Sequence, residues 1–167
     1  MKKAIILFLM IVIIGLPFIP LQYALVFEYE NTGKLLAYMK MDQGRDFQIK
    51  YTHSIHLSDV LETYEIDRKG IVTQKQLEYE DFAIGMPSDA QGNEKFIEKD
   101  GRYIIADMNR TFEYVDLRIG QIVANHTLLY KKKEIPFSSF IKEGTWIRID
   151  YRRISLWEVL KGVSVFE

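Results

Sequence analysis

The chain of 167 residues contains no cysteine. That absence excludes disulfides, thiolate nucleophiles, cysteine-based zinc sites and lipid attached to a cysteine. Net charge is nearly absent as well: 22 Lys and Arg against 23 Asp and Glu leave a formal −1. No global field exists to hold nucleic acid or an anionic surface, and the basic residues are not interleaved with aromatics along one face. No glycine-rich phosphate loop, internal repeat, linker or low-complexity tract occurs. Nucleotide and nucleic-acid chemistry therefore fall away first.

What is abundant is apolar and aromatic. Hydrophobic residues make up 48% and aromatic residues 13%, with ten Tyr and ten Phe, a composition that favours strands over helices. Many short alternating stretches, spaced near ten residues with glycine turns between, predict an all-β domain. Its architecture should be an antiparallel β-sandwich or barrel. Expected strands are Leu25–Tyr29, Leu35–Met41, Phe47–Thr52, Val60–Ile66, Ile71–Tyr79, Phe96–Glu98, Tyr103–Met108, Phe112–Ile119, Gln121–Tyr130 and Thr145–Tyr151. Asp100-Gly101 is a hairpin signal. Ser155-Leu156-Trp157-Glu158 has the form of a capping box, so a short C-terminal helix should start there and end near Gly162. Trp146 and Trp157 are read as core or rim residues, and Lys131, Lys132 and Lys133 as a solvated loop.

The N-terminus differs in kind. Lys2 and Lys3 precede an apolar run from Ala4 through Leu21, interrupted at Gly15, Pro17 and Pro20. A charged start followed by a run of about 20 apolar residues reads as an export signal or a transmembrane signal anchor. No small-x-small cleavage site follows it, which favours an uncleaved anchor over secretion after signal cleavage. The lysines keep the N-terminus in the cytoplasm. Residues 1–24 are thus expected to form a signal-anchor helix and residues 25–167 one extracytoplasmic β domain, single-pass at the cell membrane.

Parity singles out a few polar residues. In Phe47–Ile66 two strands fold back on each other, and alternation carries His53 and Glu62 onto the face of Ile49, Tyr51, Val60 and Tyr64. In Gln121–Tyr130 the same count sets His126 beside Ile122, Ala124, Leu128 and Tyr130. Burying such groups unpartnered costs roughly 2–7 kcal/mol each, so they should meet partners. Ser54 and Asp107 are candidate neighbours, and His56 falls in the turn. Three readings stand open: a hydrogen-bonded cluster that fixes strand register, a pocket for a small polar ligand, or a metal site of two histidines and a carboxylate. Hydrolysis by Ser54 with His53 is disfavoured, because adjacent strand residues point to opposite faces. No catalytic residue and no cofactor is assigned.

Several motifs in order also resemble the bacterial family known as domain of unknown function 1850. They are Tyr51-Thr52-His53-Ser54 with Glu62 and Tyr64, then Phe82-Ala83-Ile84-Gly85-Met86-Pro87, then Asp100-Gly101. Asn109-Arg110, Leu117-Arg118-Ile119-Gly120 and His126-Thr127-Leu128 follow. Ala83 stands where the family pattern usually has a second glycine. The likeness covers roughly Val26 to Tyr151 and overlaps a structural bend read from the residues themselves, where Gly85 supplies backbone freedom and Pro87 stops pairing. It implies a small exported protein, often encoded beside the membrane components of TRAP-type transporters of the TAXI subclass. The partners it implies are a transporter permease or its solute receptor. It implies no established activity.

Overall fold

The computed structural model describes residues 2–41, 45–80 and 86–166. A helix, α1 (Lys2–Gly15), and a 3-10 turn at Leu16–Phe18 precede the first strand. Strands follow as β1 (Pro20–Tyr29), β2 (Lys34–Met39), β3 (Asp46–Thr52), β4 (Asp59–Ile66), β5 (Val72–Tyr79), β6 (Lys95–Lys99) and β7 (Arg102–Ala106). The second half supplies β8 (Arg110–Phe112), β9 (Val115–Arg118), β10 (Thr127–Tyr130), β11 (Lys133–Pro136) and β12 (Trp146–Ser155). Helix α2 (Leu156–Lys161) and β13 (Val163–Ser164) close the described chain.

These strands form two sheets, in the orders β13-β2-β1-β12-β9 and β11-β10-β3-β4-β5-β7-β6, with β8 on β5. Pairing is antiparallel except for β13 on β2, which is parallel. The expected all-β sandwich is thereby present, and its smaller sheet is mixed. The main core lies between the sheets: Leu25, Phe27, Ile147 and Ile149 from one meet Phe47, Ile49, Tyr64 and Leu128 from the other. A second cluster of Val60, Leu77, Tyr79, Ile105 and Met108 packs the outer part of the larger sheet. Tyr51 touches both clusters.

Strand β1 is buried on both faces. Leu25 and Phe27 enter the inter-sheet core, while Ala24 and Val26 pack beneath α2 with Tyr38, Ile154 and Val159. Glu28, also buried, accepts from Arg152 Nε at 2.9 Å and Nη2 at 2.7 Å. Arg152 Nη1 reaches Glu158 at 2.8 Å. The capping box forms as the sequence predicts: Ser155 accepts from the Glu158 N–H, and the Glu158 carboxylate accepts from the Ser155 N–H. One arginine therefore ties the helix start to the sheet beneath it.

Three expectations are corrected. The apolar N-terminal run does not form one helix through residue 24. Pro17 lacks an N–H and disfavours helical geometry at Leu16, so α1 ends at Gly15, and β1 begins at Pro20. Among the described residues no helix is long and apolar enough to cross a membrane, and the strand expected from Leu25 starts earlier, at Pro20. Second, Phe112–Ile119 is two strands, β8 and β9, on different sheets. Third, the strand expected over Gln121–Tyr130 covers only Thr127–Tyr130. Ile122, assigned inward by parity, is 93% exposed. The chain there folds back so tightly that a Cβ on Gly120 would stand 2.5 Å from the Ala124 Cβ.

The turn at Arg68-Lys69-Gly70 gives a direct test. Gly70 has φ +94°, and a Cβ there would lie 2.9 Å from the Tyr151 backbone oxygen. Gly33 has φ +70° with open space around it. Gly33→Ala should cost about 1–2 kcal/mol of left-handed strain alone. Gly70→Ala, adding a backbone clash, should lower the urea midpoint clearly further; equal midpoints would contradict this account.

A buried polar row and the family it belongs to

Strand β3 ends at Thr52, and the alternation that predicted an inward His53 ends with it. The chain instead turns: the His53 N–H donates to the Ser58 carbonyl at 2.8 Å, and the Leu57 N–H to the His53 carbonyl at 2.9 Å. His53 is half-buried at this hairpin tip, where its Nδ1 accepts from the Ile55 N–H at 3.4 Å. The ring lies 5.9 Å from that of His56. Ser54 and His56 are exposed. The two histidines of the tip face each other, and the expected partnership of His53 with Glu62 is replaced by this one.

Glu62 does follow its parity. It shares the inward face of β4 with Val60, Tyr64 and Ile66, opposite Ile49 of β3. The Tyr64 hydroxyl donates to Glu62 Oε2 at 2.7 Å. Burial pushes the Glu62 carboxyl above its ordinary range, while the Tyr64 hydrogen bond pulls against that. Burial, reinforced by the Glu62 charge, also raises the hydroxyls of Tyr51 and Tyr64. Both phenols stay neutral, and that of Tyr64 is the donor to Glu62. The Tyr64 ring stacks on Phe47 at 5.2 Å.

His126 is buried, although it lies just before β10 and not within a strand. Its Nδ1 accepts from the Gly120 N–H at 3.0 Å, which leaves the proton of a neutral ring on Nε2. Its backbone carbonyl accepts from the Phe137 N–H at 2.9 Å. Burial pushes the imidazole below its ordinary range. The ring stands 5.3 Å from that of Tyr51. His126, Tyr51, Glu62 and Tyr64 thus form a row along the inner surface of the larger sheet.

Tyr51 and Tyr64 are the members that the sequence reading left out. A phenol scores as apolar in an alternating pattern, so only the inward carboxylate beside it signalled the need for a donor. Glu28 was also missed, because its partner Arg152 lies 124 residues away. Asp107 is exposed and pairs with Lys95 at 2.7 Å. Gly85 lies outside the described residues, and the Pro87 carbonyl accepts from the Tyr79 hydroxyl. Trp146 and Trp157 are exposed, not core.

Among the described residues, no group of three His, Asp or Glu side chains could hold a metal ion. The set His53, Glu62 and His126 has no such geometry here. Every buried side-chain nitrogen and oxygen among the described residues has a hydrogen-bond partner. Open clefts lie elsewhere. One of about 670 Å³ is lined by Tyr29, Glu30, Arg118, Gln121, Lys142 and Trp146, among others.

A two-sheet β domain with a partnered polar row along one inner face is the class that these features define. Residues 47–137 match the family described as a domain of unknown function (DUF1850), and the chain belongs to that family. The matched segment contains the whole row. Comparison with curated proteins found no match, and comparison with solved structures found none either.

The row predicts stability and its pH dependence. Glu62→Ala removes the acceptor of the buried Tyr64 hydroxyl and should cost about 1–3 kcal/mol. A melting curve equal to the parent's would refute this. Because the Glu62 carboxyl is raised, the folded state holds more protons between the ordinary carboxylate range and the raised value. Its contribution to stability therefore falls as pH rises through that window, and Glu62→Gln should remove that slope. His126 runs the other way. Its imidazole is lowered, so the unfolded chain holds more protons just below the ordinary imidazole range, and stability falls as pH drops through it. Urea midpoints for the parent and His126→Gln across mildly acidic pH would check that difference.

Proposed function

We propose that the protein is a membrane-tethered, extracytoplasmic accessory or binding module held by its N-terminal segment. The observation that carries this reading is α1 itself. From Ala4 to Ile14 every residue is apolar, and the helix buries none of them against the domain. Leu16, Phe18, Ile19 and Leu21 extend the exposed apolar surface to the start of β1. Contiguous apolar surface of this extent marks an interaction site. A run headed by Lys2 and Lys3 suits lipid better than protein. Fourteen helical residues rise roughly 21 Å, less than the hydrocarbon core of roughly 30 Å. The continuing apolar stretch to Leu21 supplies the remainder of the embedded segment.

Association with a TRAP-type transporter of the TAXI subclass, through its permease or solute receptor, extends this reading on the strength of the resemblance. The row of His126, Tyr51, Glu62 and Tyr64, in which Tyr64 donates to Glu62 and His126 accepts from Gly120, supports a scaffold whose interior sets strand register and whose outer surfaces meet partners.

Fractionation tests the tether. The full chain should remain with membranes through an alkaline wash, and protease outside intact cells should digest the β domain. Leu9→Arg places a charge in the middle of α1 at a cost of about 2.5–3.5 kcal/mol in lipid and should reduce retention. A parent chain recovered in the soluble fraction with its N-terminus intact would refute the tether. Recovery without the N-terminal residues would identify a removed signal. Co-purification of the tethered chain with permease and receptor subunits tests the partner, and failure in membranes that retain the chain would count against it alone.

A further inference from the structure

We infer that the outward face of α2 seats on the bilayer surface beside the exit of α1, placing Trp157 at the level of the lipid headgroups. This rests on the tether reading and adds how the domain sits. Leu156, Trp157 and Leu160 are 57%, 42% and 72% exposed. The other side of α2 is occupied: Val159 packs over β1, and Glu158 is held by Ser155 and Arg152. Three large apolar side chains on a six-residue helix therefore face outward together.

That face is continuous with the N-terminal segment. The Phe18 ring lies 5.4 Å from that of Trp157. A groove lined by Ile13, Leu16, Leu21, Leu156 and Val159 joins the end of α1 to α2. The rim of the patch is cationic. Lys161 Nζ stands 4.4 Å from the centre of the Trp157 ring, and the Arg153 guanidinium 4.8 Å from that of Tyr23. Lys34 lines the adjoining cleft with Trp157 and Lys161. Glu158, the acidic residue among them, is already engaged by Arg152. Apolar side chains with tryptophan, bordered by basic residues that can extend toward phosphates, match a lipid interface. The cationic rim complements anionic headgroups, each basic residue near such a surface contributing about 1 kcal/mol.

Quenching of tryptophan emission by lipid tests the seat. The full chain with Trp146→Phe keeps Trp157 as its one tryptophan and is reconstituted into vesicles of phosphatidylcholine and phosphatidylglycerol. Parallel vesicle sets carry a quencher attached near the headgroup or deep in the acyl chain. Trp157 should be quenched several-fold more by the shallow label, and shielded from aqueous iodide. Leu160→Glu should reduce that shallow quenching while the chain still floats with the vesicles. Should Trp146→Phe fail to fold, the difference between the parent and Trp157→Phe gives the same readout. Floating chains whose Trp157 stays open to iodide and blind to both lipid labels overturn the seat and leave the tether standing. Shielding from iodide and lipid together, with crosslinks between chains, overturns it in favour of a second copy. A chain that does not float overturns both readings.

Discussion

Strand β1 is the member on which the rest of the architecture depends. It lies at the centre of the smaller sheet, pairs with β12 over nearly its whole length and with β2 on the other side. Its alternate residues fill two separate interiors. Leu25 and Phe27 close the space between the sheets, and Ala24 and Val26 form the floor on which α2 rests. A strand covered on both faces cannot alternate apolar with polar, which is why Ala24-Leu25-Val26-Phe27 is continuously apolar. Glu28 is the exception, and it is tolerated because the Arg152 fork reaches it twice.

The larger sheet solves a different problem. Its inner face carries a carboxylate and an imidazole where packing alone would call for aliphatic side chains. Each is partnered within the protein: Glu62 by the Tyr64 hydroxyl, His126 by the Gly120 N–H. Tyr51 stands between them and between the two hydrophobic clusters. Such a row distinguishes one strand register from its neighbours, since a slip of β4 by one residue would turn Glu62 and Tyr64 outward together, away from Tyr51 and the inter-sheet core. The same partnering accounts for the absence, among the described residues, of a buried polar side-chain atom left over for a bound molecule.

The hairpin of β3 and β4 was legible because both strands keep strict alternation up to their ends. The cap of α2 was legible because its chemistry is local, four residues long. Legibility failed where a pattern outlived its structure. His53 continues the parity of β3 but lies one residue past its end, and Ile122 alternates correctly inside a segment that is not a strand. In the N-terminal run, hydropathy carried no mark of the change from α1 to β1. The marks were Pro17 and Pro20, and their effect was to end the helix rather than bend it. Glu28 with Arg152 is a pairing across 124 positions that no periodicity exposes.

The direct passage from α1 into β1 has a mechanical consequence. Any pull between the N-terminal segment and the domain enters along the axis of a central strand, not at a peripheral loop or a sheet edge. The rungs to β12 and β2 run across that axis, so they bear load side by side and must yield together. A handle attached to an outer strand such as β6 would instead open its rungs one after another. A load applied at the N-terminus would thus act on a strand braced on both sides.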